Sequence, residues 1–171
     1  MRIGVAGAHG TGKTTLVEDL TSRHPSLASV PEPYVLLEEQ GYEFDHPPSP
    51  ADYMAQFRAS LRLLRRPAAR VVFDRTPLDF VAYLRASGTD LESDADVAAL
   101  RSAMASLDLL VVVPITPLLP PPPDFADLRA AMNDALLDLV YDDEVLDGVE
   151  VLELHGPLDG RADAVCKALA L

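Results

Sequence analysis

The sequence predicts an α/β fold of three layers, in which a five-stranded parallel sheet is covered by helices on both faces. Two observations carry that expectation. Short apolar runs alternate with stretches of helical spacing along the whole chain, which is the pattern of strands joined by helical crossovers. Residues 7–14, Gly-Ala-His-Gly-Thr-Gly-Lys-Thr, match G-x-x-x-x-G-K-[ST] and stand between the first apolar run and the first helical stretch.

Taken in order, Arg2-Ile3-Gly4-Val5-Ala6 is short and apolar enough for a buried parallel strand. The motif then reads as a phosphate-binding loop, whose glycines let backbone N–H groups converge on an anion. A helix opening near Lys13 adds the positive end of its dipole, Lys13 adds a full charge, and the Thr14 hydroxyl is placed to ligate Mg²⁺. This is the signature of the P-loop NTPase fold. The helix is expected to run to about residue 22, where Arg23-His24-Pro25 breaks it.

Residues 27–30 predict a short strand, ended by Pro31-Glu32-Pro33, and 34–40 a helix or turn. The Pro-rich stretch 41–50 predicts a loop long enough to cover something. A clearer helix is expected over 52–66, with Tyr53, Phe57, Leu61 and Leu64 on one stripe and Arg58, Arg62, Arg65 and Arg66 on other faces. Residues 70–74 form an apolar strand candidate ending in Asp74, and Pro77 opens a helix to about residue 87. A helix over 96–106 precedes the most apolar strand candidate, 107–115.

Residues 116–123 contain five prolines and predict a stiff extended connector, part of a lid-like segment at about 114–130. Phe125, Leu128, Met132, Leu136 and Leu139 then repeat with helical spacing. Residues 149–154 alternate as a last strand, Gly156-Pro157 turns the chain, and 159–171 predict a closing helix.

At 171 residues, 49% of them hydrophobic, one domain with one sizeable core is expected over 1–171. The net charge of −13 argues against nucleic acid or an anionic membrane as partner, because both need clustered Lys and Arg. The one cysteine, Cys166, excludes an intramolecular disulfide and a cysteine-based metal cluster, and reads as a small core residue. His24, His46 and His155 lack metal-ligand spacing. With no leader-like start and no apolar run long enough to span a bilayer, a cytoplasmic location is the expectation.

In parallel α/β sheets the ligand lies beyond the carboxyl ends of the strands. There the second strand offers Glu32 and the third offers Asp74 and Arg75, facing the loop by topology. Such a set suits phosphoryl transfer, which is mainly positioning and charge stabilisation. Glu32 is a candidate base or ligand for a sugar hydroxyl, Asp74 a candidate to hold Mg²⁺ through water, and Arg75 a candidate phosphate clamp or partner of Glu32. His9, at a variable position of the loop, is a candidate contact to phosphate or acceptor.

The loop with its following Thr15-Leu16, then Pro31-Glu32-Pro33, then Phe73-Asp74-Arg75-Thr76-Pro77-Leu78-Asp79, resembles small P-loop kinases and AAA-type ATP-binding proteins of the ribosylnicotinamide-kinase-like and nucleoside kinase group. The resemblance runs through the chain in order of elements. It implies ATP and Mg²⁺ as cofactors, bound at His9, Gly10, Thr11, Gly12, Lys13, Thr14 and Thr15, with Thr14 and Asp74 at the metal. It also implies Lys13, Glu32, Asp74 and Arg75 at the transfer site. Gln56 and Arg58, on the helix after the second strand, would hold the acceptor, Gln56 pairing with an amide edge. The turn at Gly156, with Arg161 soon after, resembles the place where such kinases meet the adenine.

One departure stands out. Such kinases carry two or more arginines in the lid before the last strand, whereas residues 114–150 hold only Arg129. Either Arg129 alone closes on the phosphates, or Arg75 and the arginines of 52–66 compensate, or transfer is low or absent. The expected function is an ATP- and Mg²⁺-dependent kinase acting on a nucleoside-like or other small-molecule hydroxyl. The alternatives are a nucleotide monophosphate kinase and a non-catalytic ATP-binding switch. Oligomeric state is not legible.

Overall fold

Strand β1 (Arg2–Ala6) occupies the centre of the sheet, with β3 (Val71–Asp74) on one side and β4 (Leu109–Val112) on the other. β2 (Ala28–Val30) extends the sheet beyond β3, and β5 (Glu150–Glu153) extends it beyond β4, all five strands parallel in the order β2-β3-β1-β4-β5. The computed structural model describes residues 1–119, 125–141 and 144–170.

Because successive strand residues point to opposite faces, the sheet divides its apolar side chains by parity. Ile3, Val5, Val72, Leu109 and Val111 pack with Leu16 and Leu20 of α1 (Lys13–Arg23) and Val165 of α7 (Arg161–Ala168). Ala6, Phe73, Leu110 and Val112 pack on the other face. There they meet Phe57 of α3 (Pro50–Leu64), Leu84 of α4 (Pro77–Ala86), Leu100 of α5 (Asp94–Met104) and Met132 of α6 (Ala126–Tyr141). The expected α3 stripe of Tyr53, Phe57, Leu61 and Leu64 is buried throughout. Phe57 has no exposed surface, so its truncation to Ala would cost about 3–5 kcal/mol.

Register is what positions the site. Val5 pairs with Asp74, Ala6 with Val112, and Val112 with Glu153, so the strands end in line and their loops gather at one edge. α2 (Pro33–Glu39) starts at that edge, with Glu32 as its N-cap residue and Pro33 at its first position.

Two expectations change. The predicted strand 107–115 is shorter: Val113 still donates to Ala6 O at 2.8 Å, but Pro114 has no N–H to continue the ladder. The connector expected to be extended begins as a turn, with Leu119 N donating to Thr116 O at 3.3 Å and Leu118 N to Thr116 Oγ1 at 3.3 Å. Residues 120–123 of that connector, and 124 of the lid-like segment, lie outside the described residues. Among the described residues no helix is long and apolar enough to cross a membrane.

Candidate functional site

The loop leaves β1 at Gly7, where a Cβ would come within 2.4 Å of Val113 O, and enters α1 through Gly12 at φ 87°. Both positions need glycine, one for close approach and one for left-handed backbone. The first helical bond of α1 is Leu16 N to Gly12 O, so the N–H groups of Lys13, Thr14 and Thr15 have no helical acceptor.

The loop carbonyls, by contrast, are held. Arg75 Nη1 donates to Gly7 O (3.2 Å), Lys13 Nζ and Thr11 Oγ1 to Ala8 O (2.7 and 2.9 Å), Arg129 Nε to His9 O (2.8 Å), and Arg161 Nη1 to Thr11 O (2.6 Å). Cations thus draw the carbonyl oxygens aside, and the free N–H groups open on a cleft lined by His9, Gly10, Lys13, Thr14, Glu32 and Arg75. That is an anion cradle with a helix dipole behind it.

Lys13 is buried against this backbone. Burial first, then the neighbouring Arg75 charge, takes its ammonium from 10.5 down to about 7. An incoming phosphate would supply the counter-charge that Ala8 O supplies only as a dipole. Beside it, Thr14 Oγ1 donates to Asp74 Oδ2 at 2.7 Å, while Asp74 Oδ1 is buried with no hydrogen-bond partner. Burial raises the Asp74 carboxyl, and Thr14 and Lys13 pull it back. An orphaned carboxylate oxygen next to a hydroxyl is a donor set suited to a hard cation, so these residues fit Mg²⁺.

The corner after β3 carries the second half of the site. Arg75 is a non-glycine residue at φ 73°, a conformation costing about 1–3 kcal/mol that persists only where contacts over-determine it. Here Arg75 N donates to Val5 O (3.0 Å) and Nε to Glu32 Oε2 (2.7 Å). Its guanidinium carbon also lies 5.5 Å from the Tyr83 ring centroid. The pair Arg75–Glu32 joins the ends of β3 and β2 and aims the carboxylate across the cleft from the loop.

Beyond Glu32 lies a cavity of about 310 Å³, lined by Tyr34, Tyr53, Gln56, Phe80, Tyr83 and Phe125 among others. Its size suits a small cyclic molecule. Gln56 Nε2 donates to Asp52 O at 3.3 Å, which leaves Oε1 for a ligand donor. Tyr53 and Tyr83 stack with centroids 4.9 Å apart and form one wall. His9 lines both this cavity and the phosphate cleft, and its N–H donates to Tyr83 Oη at 3.3 Å.

A family model for the AAA domain matches residues 2–142, which includes every one of these groups except Arg161. The chain belongs to that family. No curated protein matches it. Among solved structures, deoxyadenosine kinase from M. mycoides with bound dATP superposes with a TM-score of 0.69 at 12% identity, covering 100% of both chains. NadR protein in complex with NR gives 0.68 at 22%, covering 99% of this chain and 50% of that one. Shikimate kinase from Aquifex aeolicus vf5 gives 0.57 at 13%, covering 99% and 96%. At these identities the likeness concerns the fold, which is that of P-loop kinases.

Within this AAA-domain protein most of the residues nominated from sequence converge. His9, Gly10, Gly12, Lys13, Thr14, Thr15, Glu32 and Arg75 line one cleft, Asp74 joins it through Thr14, and Gln56 lines the adjoining cavity. Thr11 is buried and spends its hydroxyl inside the loop. Arg129 is buried too and holds loop backbone, with Nη2 unpartnered. Arg58 is the exception: it is exposed on another face of α3 and lines neither the cleft nor the cavity.

Tyr83 carries no signal in the sequence, Asp79 appears there only as the end of the Phe73–Asp79 motif without a role of its own, and Arg161 has only the adenine resemblance. Arg161 ties Thr11 O to Gly156 O, the latter at 3.0 Å from Nε. Asp79 had a local signal, since Thr76-Pro77-Leu78-Asp79 has the spacing of a capping box.

Proposed function

We propose that this chain is an ATP- and Mg²⁺-dependent kinase of the cytoplasm, acting as a single P-loop kinase-like domain. It would transfer the γ-phosphoryl group to a hydroxyl of a nucleoside-like or similar small molecule. The observation that carries this reading is the Arg75–Glu32 pair, set between the phosphate cleft and an aromatic, amide-bearing cavity.

On this reading Lys13 leaves Ala8 O for a phosphate oxygen and neutralises charge there. Mg²⁺, held by Thr14 and through water by Asp74, would supply further neutralisation of phosphate charge when bound. Glu32 accepts the proton of the acceptor hydroxyl, and Arg75 fixes the angle from which it does so. Gln56 takes the acceptor's amide edge, and the tyrosine wall stacks on its ring. Among the described residues the cavity lining holds one guanidinium, Arg75, already engaged by Glu32. That favours an acceptor without a phosphate of its own over a nucleoside monophosphate.

The test incubates the protein with MgATP and a panel of nucleosides, nucleotides, sugars and cofactor precursors, follows products by phosphorus NMR, and uses Lys13→Ala as control. A phosphorylated nucleoside-like product supports the reading, and phosphorylation of monophosphates alone replaces it with nucleotide kinase. ATP binding without any product leaves a non-catalytic switch. Glu32→Gln should lower turnover by about 10²-fold or more, the scale of a general base, with ATP affinity within about twofold. Equal losses in both would remove Glu32 as base.

A further inference from the structure

Asp79 is a carboxylate with no exposed surface, and only one of its oxygens serves the helix it belongs to. Oδ2 accepts from Thr76 N (2.8 Å) and Thr76 Oγ1 (3.0 Å), closing the start of α4. Oδ1 reaches out of the helix, accepting from Gly7 N at 2.9 Å and lying 3.4 Å from Arg75 Nη1. Gly7 is therefore gripped at both ends: its N–H by Asp79 and its carbonyl by Arg75 at 3.2 Å.

We infer that Asp79 is a positioning residue which locks the first peptide of the phosphate loop to the Asp74–Arg75 corner, so that the phosphate cradle and the groups at the acceptor move as one body. A helix-capping carboxylate needs no more than Oδ2, and at a surface its second oxygen would face water. Here that oxygen is dry, and both donors given to it belong to the site. Arg75, held at φ 73°, keeps its guanidinium over Tyr83 while Asp79 balances its charge from behind. Gly7 follows directly on β1, so a shift of its N–H tilts every later amide of the loop. An asparagine at 79 cannot replace the carboxylate, because its NH₂ would face a donor on whichever side it was turned.

This inference rests on the kinase reading for what Arg75 does at the acceptor, but not for what the loop does with phosphate. Three proteins, the native chain, Asp79→Asn and Thr76→Val, are compared by calorimetry with Mg-AMP-PNP, by thermal melting and, where an acceptor is known, by steady-state kinetics. Thr76→Val removes the hydroxyl from Oδ2 and leaves Gly7 untouched, so it registers the capping role alone. Expected are a loss of AMP-PNP affinity of at least tenfold and a fall in turnover of at least a hundredfold for Asp79→Asn. Affinity should stay within twofold for Thr76→Val, even though that variant melts lower. If Asp79→Asn melts cooperatively and binds AMP-PNP within twofold of the native chain, or if Thr76→Val weakens binding equally, the lock is refuted. Should Asp79→Asn fail to fold, amide hydrogen exchange on the native chain decides: the Gly7 N–H should exchange as slowly as those of Ile3 and Val5, and exchange at open-loop rates overturns the inference. If the native chain phosphorylates no acceptor, the kinase reading fails while the affinity and exchange arms still judge Asp79.

Discussion

Arg75 makes its contacts from a left-handed backbone and sends its fork in two directions, Nε to Glu32 and Nη1 to Gly7 O. A lysine ammonium is a single point without the planar fork that fixes these two directions at once. Arg75→Lys should therefore keep most of the stability, because the charge beside Asp79 survives, while turnover falls about 10²-fold as Glu32 loses its aim. Arg75→Ala leaves the buried Asp79 without its cation and should lower unfolding free energy by about 3–5 kcal/mol. Urea midpoints and turnover on the two variants separate these effects. If both lose stability alike, charge compensation is not what Arg75 provides. Glu32, Asp74 and Arg75 were legible in the sequence because each stands at the carboxyl end of a strand, where parallel topology places a ligand. Asp79 and Arg161 were not, because their decisive partners, Gly7 and Thr11, lie 72 and 150 residues away. No local spacing encodes those distances.

At the scale of elements, the loop before α3 is tied down by one side chain. Asp52 accepts from Ser49 N (2.8 Å), Ser49 Oγ (2.9 Å), Asp45 N (3.2 Å) and Tyr42 Oη (3.0 Å), so the helix cap and the loop over the cavity share an anchor. Burial alone would raise the Asp52 carboxyl, but these bonds more than reverse it and hold it below 3.8. A carboxyl lower in the folded than in the unfolded chain adds stability that is present above the unfolded value and lost as pH falls through the folded one. Asp52→Asn should cost about 1–3 kcal/mol near neutral pH, and its gap from the native chain in urea midpoint should close below about pH 4, where the carboxyl begins to protonate. A constant gap down to pH 3 would rule out the ionised cap. The α3 stripe was legible because helical spacing reports burial directly. The turn at Thr116 was not, since proline content restricts backbone angles without saying that a threonine hydroxyl will catch Leu118 N.

Across the whole molecule, three arginines from three places in the chain close on a single loop: Arg75 after β3, Arg129 in α6 and Arg161 in α7. Residues 114–150 hold a single arginine, yet positive charge is concentrated behind the phosphate cradle, in a protein whose net charge is −13. Folding must bring these cations together before any nucleotide arrives, and Lys13, lowered to about 7 chiefly by burial and then by Arg75, carries its charge there at a cost. A phosphate ligand relieves it, so nucleotide should stabilise the fold as a unit. At a concentration near one hundred times its dissociation constant, MgATP should add about 2.7 kcal/mol. For a chain of this size that is a rise in melting temperature of about 5–10 °C. Lys13→Ala should abolish the rise, and EDTA should reduce it, as the Mg²⁺ site proposed at Thr14 and Asp74 requires. Arg129→Ala and Arg161→Ala, which release the carbonyls of His9 and Thr11, should each shrink the rise although neither residue lines the phosphate cleft. Melting curves with and without MgATP on these four proteins measure all of it, and an undiminished rise in both arginine variants would show that the cradle keeps its shape without their grip.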